Sequence, residues 1–153
     1  MSNKEYSKYH SSVQIFLVKK EKGKTLVLLQ KRKGGWADNM WEASACGHID
    51  HGEGPIDASI HEALEEIGVI IEKKDARFIH IVFKEVGGCD HAYYNFSFIC
   101  TKWKNEPSVG EPDKCYEIKW FDINKLPKNI INDRKIALKE IDKNFYSEIF
   151  PKK

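Results

Sequence analysis

No stretch of this sequence approaches the roughly 20 consecutive apolar residues needed to cross a bilayer. The first residues, Met1 to Ser12, also lack the apolar core of a secretory signal. The expectation is a soluble, cytoplasmic protein with no membrane partner. An excess of charge of one sign is missing too: 25 basic residues stand against 23 acidic ones, a formal net charge of +2. That balance gives no general field for a polyanion, so no nucleic-acid polymer is expected as a partner. Cysteine is sparse. Cys46, Cys89, Cys100 and Cys115 form no C-x-x-C pair, which speaks against a closed structural zinc site and suits a reducing compartment. Internal repeats, low-complexity runs and linkers are absent as well. What is present, 41% hydrophobic and 12% aromatic residues in a chain of 153, is enough for one core. Residues 1–11 read as a polar tail and 12–150 as one domain.

Strand patterns occupy Ser12 to Lys19 and Thr25 to Arg32, joined by the turn Glu21-Lys22-Gly23-Lys24, so a hairpin is predicted. Lys33 to Asn39 is a loop hinged on Gly34-Gly35, and Trp41 to Ala45 is a short extended piece. Gly54-Pro55 opens a helix and Gly68 closes it, because proline at the first helical position loses no hydrogen bond and glycine accepts the left-handed cap. Ile56, Ile60, Ala63 and Ile67 form its apolar stripe. Short or longer strands follow at Val69–Glu72, Arg77–Glu85, His91–Lys102 and, last, Glu117–Ile123. Val86 to Asp90 reads as a turn, Asn105 to Asp113 as a loop, and Ile131 to Phe145 as a second helix. The order describes a mixed α/β fold of the α+β type.

The first helix carries the chemistry. Glu62, Glu65 and Glu66 stand at i, i+3 and i+4 and project from roughly the side opposite the apolar stripe. No lysine or arginine lies between Asp57 and Val69 to relieve their repulsion. Hard divalent cations take oxygen ligands, so the face suits a metal; a plain solvated acidic face has the same spacing, and the pattern alone leaves both open.

Gly47, Glu53, Glu62, Ala63, Glu65, Glu66, Gly68 and Val69 stand in the register of the Nudix box, G-x5-E-x7-R-E-U-x-E-E-x-G-U with U apolar. The chain therefore resembles the Nudix hydrolases. The resemblance implies a mixed β-sheet sandwiched between helices and a hydrolase that cleaves the diphosphate linkage of a nucleoside diphosphate joined to another group. It further implies Mg²⁺, or Mn²⁺, held by Glu62, Glu65, Glu66 and the carbonyl of Gly47. Glu65 or Glu66 would double as base, with Glu53 in support. One box position departs: the expected arginine is His61, which offers less charge and no bidentate fork. Activity is therefore expected to be modest or pH-sensitive.

A further carboxylate often comes from outside the box; Glu117 is the first candidate and Glu111 the second. Lys31 and Arg32 are candidates for substrate phosphate, against simple solvation. Phe83, Asn129 and Asn132 are candidates for base contact, against core packing for the first and helix capping for Asn129, Asn132 and Asp133. His48 and His51 read as loop polar groups; His80 and His91 as structural.

Glu111-Pro112-Asp113-Lys114-Cys115, with Trp120-Phe121 and Tyr146-Ser147-Glu148, resembles the MutT-like subgroup, which speaks to kinship and not to substrate. A nucleoside triphosphate releasing pyrophosphate leads, followed by ADP-ribose or a nucleotide sugar. A non-catalytic nucleotide-sensing domain is the reading from another class. Ser44-Ala45-Cys46-Gly47-His48 is also similar to isoprenoid diphosphate isomerases, but Cys46 alone does not make that case. Homodimers are common among the relatives implied.

Overall fold

The computed structural model describes residues 6, 8–85 and 92–151. Its organiser is β1 (His10–Glu21), a strand shared by two pairings. Its first half pairs antiparallel with β4 (Ala45–His48), and its last residues pair antiparallel with β2 (Lys24–Arg32). On its other side β1 runs parallel to β6 (Tyr93–Cys100). The sheet continues through β5 (Ala76–Lys84), antiparallel to β6, to β8 (Tyr146–Ile149), parallel to β5. β3 (Trp41–Glu42) and β7 (Cys115–Asp122) flank β2. Parallel and antiparallel pairs thus coexist in one mixed sheet of eight strands.

Alternation along β1 explains the layers. Val13, Ile15 and Leu17 face one side, where they pack with Ala63 and Ile67 of α1 (Pro55–Ile67). Phe16 and Val18 face the other, with Ala137 and Leu138 of α2 (Asn132–Lys139). A period of two sends successive side chains to opposite faces, so one strand feeds two cores and two helices cover two faces. This is the sandwich expected. Ser44 sits where the sheet divides: its hydroxyl accepts the Leu17 N–H and donates to the Leu28 carbonyl, at 2.8 and 2.6 Å. That break splits the expected extended piece into β3 and β4.

Several boundaries differ from expectation. The second helix stops at Lys139 rather than running to Phe145. Asp142 takes a left-handed φ of 59°, and the Asn144 side chain closes a turn onto both backbone groups of Tyr146. The freed chain becomes β8, so Glu117–Ile123 is not the last strand. His80, buried on β5, holds β8 with its ring nitrogens 2.7 Å from the Asn144 carbonyl and 3.0 Å from the Ser147 hydroxyl, a structural role as read. Val69–Glu72 contributes only the bridge Ile70–Lys104. The capping reading of Asn129, Asn132 and Asp133 fails: Ile131 occupies the cap of α2 with no side-chain hydrogen bond, and Asp133 is buried. The turn at 86–90, with Cys89, and His91 lie outside the described residues. No helix among the described residues is long and apolar enough to cross a membrane.

Candidate active site

Helix α1 is fixed at both ends. Pro55 starts it, and Gly68 ends it at φ 70°, returning its N–H to the Leu64 carbonyl at 3.1 Å. The loop before β7 then docks on the last turn. Ser108 N–H reaches the Ile67 carbonyl at 3.0 Å, and Gly110 N–H reaches the Glu66 carbonyl at 2.8 Å. A Cβ on Gly110 would strike the Glu65 carbonyl, so the close approach requires glycine. The carboxylates of this helix therefore ride on a clamped scaffold.

Glu62 and Glu66 do not point away from the core, as the helical angles suggested; they flank the sheet. The Glu62 carboxylate fills the space a Cβ would take on Gly47 of β4. Glu66 is partly buried, and its Oε2 accepts the Gln30 amide at 2.7 Å and the Cys46 backbone N–H at 2.9 Å. Burial, reinforced by nearby Glu62 and Glu42, pushes its pKa up to about 7 against those two hydrogen bonds. Glu62 is also raised, chiefly by burial and by Glu65, with Glu111 adding to the repulsion. Two crowded carboxylates with raised pKa values, on a helix with no lysine or arginine, favour a cation. The donors are oxygens throughout, so this chain's residues fit Mg²⁺ or Mn²⁺.

His61 bridges two carboxylates, Glu65 and Glu53. Its Nε2 lies 2.8 Å from Glu65 Oε1 and its Nδ1 lies 3.2 Å from Glu53 Oε1. Both nitrogens must donate to satisfy two carboxylates, which only the imidazolium can do. Its pKa is accordingly raised, first by the hydrogen bond and charge of Glu65 and then by Glu53. Asp50 joins Glu53 and His61 in a group whose ligand atoms lie within 4.8 Å of one another.

Gly47 and Cys46 form one edge of a pocket of about 780 Å³. Arg32, Trp36, Lys84, Tyr93 and Arg134 line it, together with His10, Ser12 and His48. Arg134 is 7% exposed and grips the fully buried Glu42, with Nη2 2.9 Å from Oε2 and Nε on Oε1; its Nη1 contacts Asp133. Burial alone would lower the pKa of Arg134, but Glu42 and Asp133 outweigh it and hold the guanidinium charged. The Cys46 thiol is pushed well up by burial and by Glu42 and Glu66, so it stays protonated at neutral pH. A second pocket, about 500 Å³, shares His10 and His48 with the first and is lined by Glu53, Tyr9, Pro55 and Phe96.

The candidates read from sequence divide accordingly. Glu53, His61 and Glu65 are brought together, and Gly47, Glu62 and Glu66 meet beside the larger pocket. Arg32 lines that pocket. Lys31 instead faces Glu117 across β2 and β7 at 3.6 Å. Glu111, on the loop docked against α1, adds to the repulsion that Glu65 and Asp50 exert on Glu62, and it pairs with Lys114 at 3.0 Å. Phe83 is 9% exposed and packs among Tyr9, Tyr94 and Phe150. Asn129 donates to the Asn39 carbonyl, and Asn132 is exposed at the start of α2; neither lines either pocket. Sequence reasoning missed Gln30, Trp36, Glu42, Lys84, Tyr93 and Arg134. Only Trp36 carried a local signal, directly after Gly34-Gly35.

Comparison with known proteins agrees with this geometry. An uncharacterized Nudix hydrolase of Clostridium acetobutylicum is 34% identical over 129 residues, covering 81% of this chain. The chain spans 62% of the length of that relative. Among solved structures, the MutT NUDIX hydrolase from Burkholderia pseudomallei superposes with a TM-score of 0.76 at 24% identity, over 86% of this chain and 97% of that one. The NUDIX domain of Shewanella oneidensis NrtR, in complex with ADP ribose, superposes with a TM-score of 0.68 at 13% identity, over 91% and 93%. The family model of the NUDIX domain matches residues 8–142. With the box residues gathered on a clamped helix beside a pocket, the chain belongs to the Nudix family.

Proposed function

We propose that residues 12–150 form a Mg²⁺-dependent hydrolase, Mn²⁺ being the alternative ion, that cleaves the diphosphate linkage of a nucleoside diphosphate joined to another group. The observation that carries this reading is the placement of Glu62 against Gly47 and of Glu66 against the Cys46 N–H, at the edge of a pocket that also holds Arg32, Lys84 and Arg134.

Glu62, Glu65, Glu66 and the Gly47 carbonyl would hold the metal, which when bound offsets phosphate charge and lowers the pKa of water. Cys46 and Gln30 fix Glu66, and His61 holds Glu65 in line with Glu53. Glu65 or Glu66 would take a proton from the attacking water. Arg32 and Lys84 bind phosphate oxygens, and Glu111 serves as the additional carboxylate in preference to Glu117. A nucleoside triphosphate releasing pyrophosphate is the leading substrate class. The second pocket, across His10 and His48, favours one other reading: a substrate with a bulky group at each end, such as ADP-ribose or a nucleotide sugar.

The test is a hydrolysis panel of nucleoside triphosphates, nucleotide sugars and ADP-ribose with Mg²⁺ and with Mn²⁺. Release of a nucleoside monophosphate, lost in Glu65→Gln and Glu66→Gln, is the expected result. Binding of nucleotide without product from any member would leave a non-catalytic sensing domain instead.

A further inference from the structure

Trp36 is 70% exposed, yet it sits on a rigid support and lines the larger pocket. Gly34 and Gly35 both take left-handed φ values, 77° and 74°, turning the chain into the short 3-10 turn Gly35–Ala37. Gly34 N–H donates to Asp38 Oδ1 at 2.7 Å, and the Asn39 amide donates to Oδ2 at 2.9 Å. Arg32 N–H to the Met40 carbonyl and Asn39 N–H to the Arg32 carbonyl, both 2.9 Å, close the base of the loop. The turn therefore holds the backbone of Trp36 in a set place at the pocket.

Two cations stand beside that ring. The Arg32 guanidinium carbon and the Lys84 ammonium are each 5.7 Å from its centroid, at the outer range of a cation–π contact. Neither is fully engaged elsewhere. Arg32 reaches Glu42 at a long 3.4 Å, and its Nε is buried without a hydrogen-bond partner. Lys84 lies 3.9 Å from Asp133. An exposed indole leaves a large apolar face in water. One ligand suits this arrangement: a planar ring on the indole, with an attached phosphate on the Arg32 and Lys84 head groups.

We infer that Trp36 is the stacking platform for the base of the nucleotide, and so a specificity-determining residue of the pocket. This rests on the nucleotide reading above but not on hydrolysis. A base offers a π-face whatever its identity, so Trp36 selects for a nucleotide over a ringless phosphate, not for one base over another.

The experiment is metal-free calorimetry in EDTA with AMP, GMP, CMP and UMP, and with ribose 5-phosphate as the ringless control. Wild type should bind at least one nucleotide about ten-fold tighter than ribose 5-phosphate, the size of effect one stacked base produces. Trp36→Ala should erase that preference, and Trp36→Phe should keep most of it. Indole fluorescence should be quenched by nucleotide in wild type, and much less in Trp36→Phe at equal occupancy. Equal affinity for nucleotides and ribose 5-phosphate in wild type, absence of binding by any nucleotide, or an unchanged preference in Trp36→Ala would each overturn the assignment. Because no turnover occurs in EDTA, a failed hydrolysis panel with an intact Trp36 effect counts against the enzyme reading alone. Turnover with no Trp36 effect counts against this inference alone.

Discussion

Arg134 of α2 forks onto Glu42 of β3, burying an ion pair beneath the larger pocket. Glu42 is also held by its neighbour's backbone, the Ala43 N–H at 2.9 Å. A helix on one face of the sheet is thereby tied to the short strand that leads into β4.

Arg134→Met leaves Glu42 buried without its partner and should cost about 3–5 kcal/mol. Urea denaturation measures it. The double variant Glu42→Met/Arg134→Met should recover part of that loss, the remainder being the Arg134 contact that buried Asp133 still lacks. If the single and double variants were equally unstable, the pairing would not be the cause.

His61 predicts a dependence on pH. Its folded pKa is raised, so the imidazolium clamp on Glu53 and Glu65 is fully formed below the unfolded value, about 6.5. It is lost as pH rises through the folded value. His61→Arg keeps the charge throughout. Its turnover should exceed wild type most at pH 9, with the difference narrowing toward pH 6, and its melting temperature should decline less with rising pH. No separation of the two profiles between pH 6 and 9 would remove the clamp from the mechanism.

Glu66 has a consequence of the same sign for the stability of the metal-free protein. A carboxyl raised from about 4.5 to about 7 binds its proton more tightly when folded, so stability is greatest below pH 4.5 and falls as pH rises toward 7. Glu66→Gln removes the buried charge and should stabilise the metal-free protein at pH 8, by up to about 3 kcal/mol, while turnover falls on the order of 10²-fold. Thermal melts in EDTA, read beside Mg²⁺-supported assays, give both quantities. A variant that is less stable and equally active would contradict the assignment.

Gly47→Ala places a methyl where the Glu62 carboxylate lies. The side chain end can swing away, so the cost in stability should stay near 1 kcal/mol or below. Metal affinity should still drop at least ten-fold, by titration with Mn²⁺ followed by electron paramagnetic resonance. Unchanged Mn²⁺ affinity would show that Glu62 is not a ligand.

The box was legible because its physics is local. Pro55 and Gly68 bound the helix through backbone rules, and Glu62, Glu65 and Glu66 share a face by helical spacing alone. The partners of those residues were not legible. Gln30 meets Glu66 across 36 residues of chain, and Glu42 meets Arg134 across 92. Gly110 lets the loop that carries Glu111 dock on α1, a contact that no periodicity encodes.

By itself, then, the sequence determined the helix, its caps, its carboxylates and the alternation that puts one strand between two cores, since each depends on neighbours within a few residues. Tertiary structure alone decided which cations and which aromatic ring share the pocket, and where the last helix yields to β8. Those outcomes follow from pairings between distant strands and from the desolvation of charges, which exist only once the chain has closed around them.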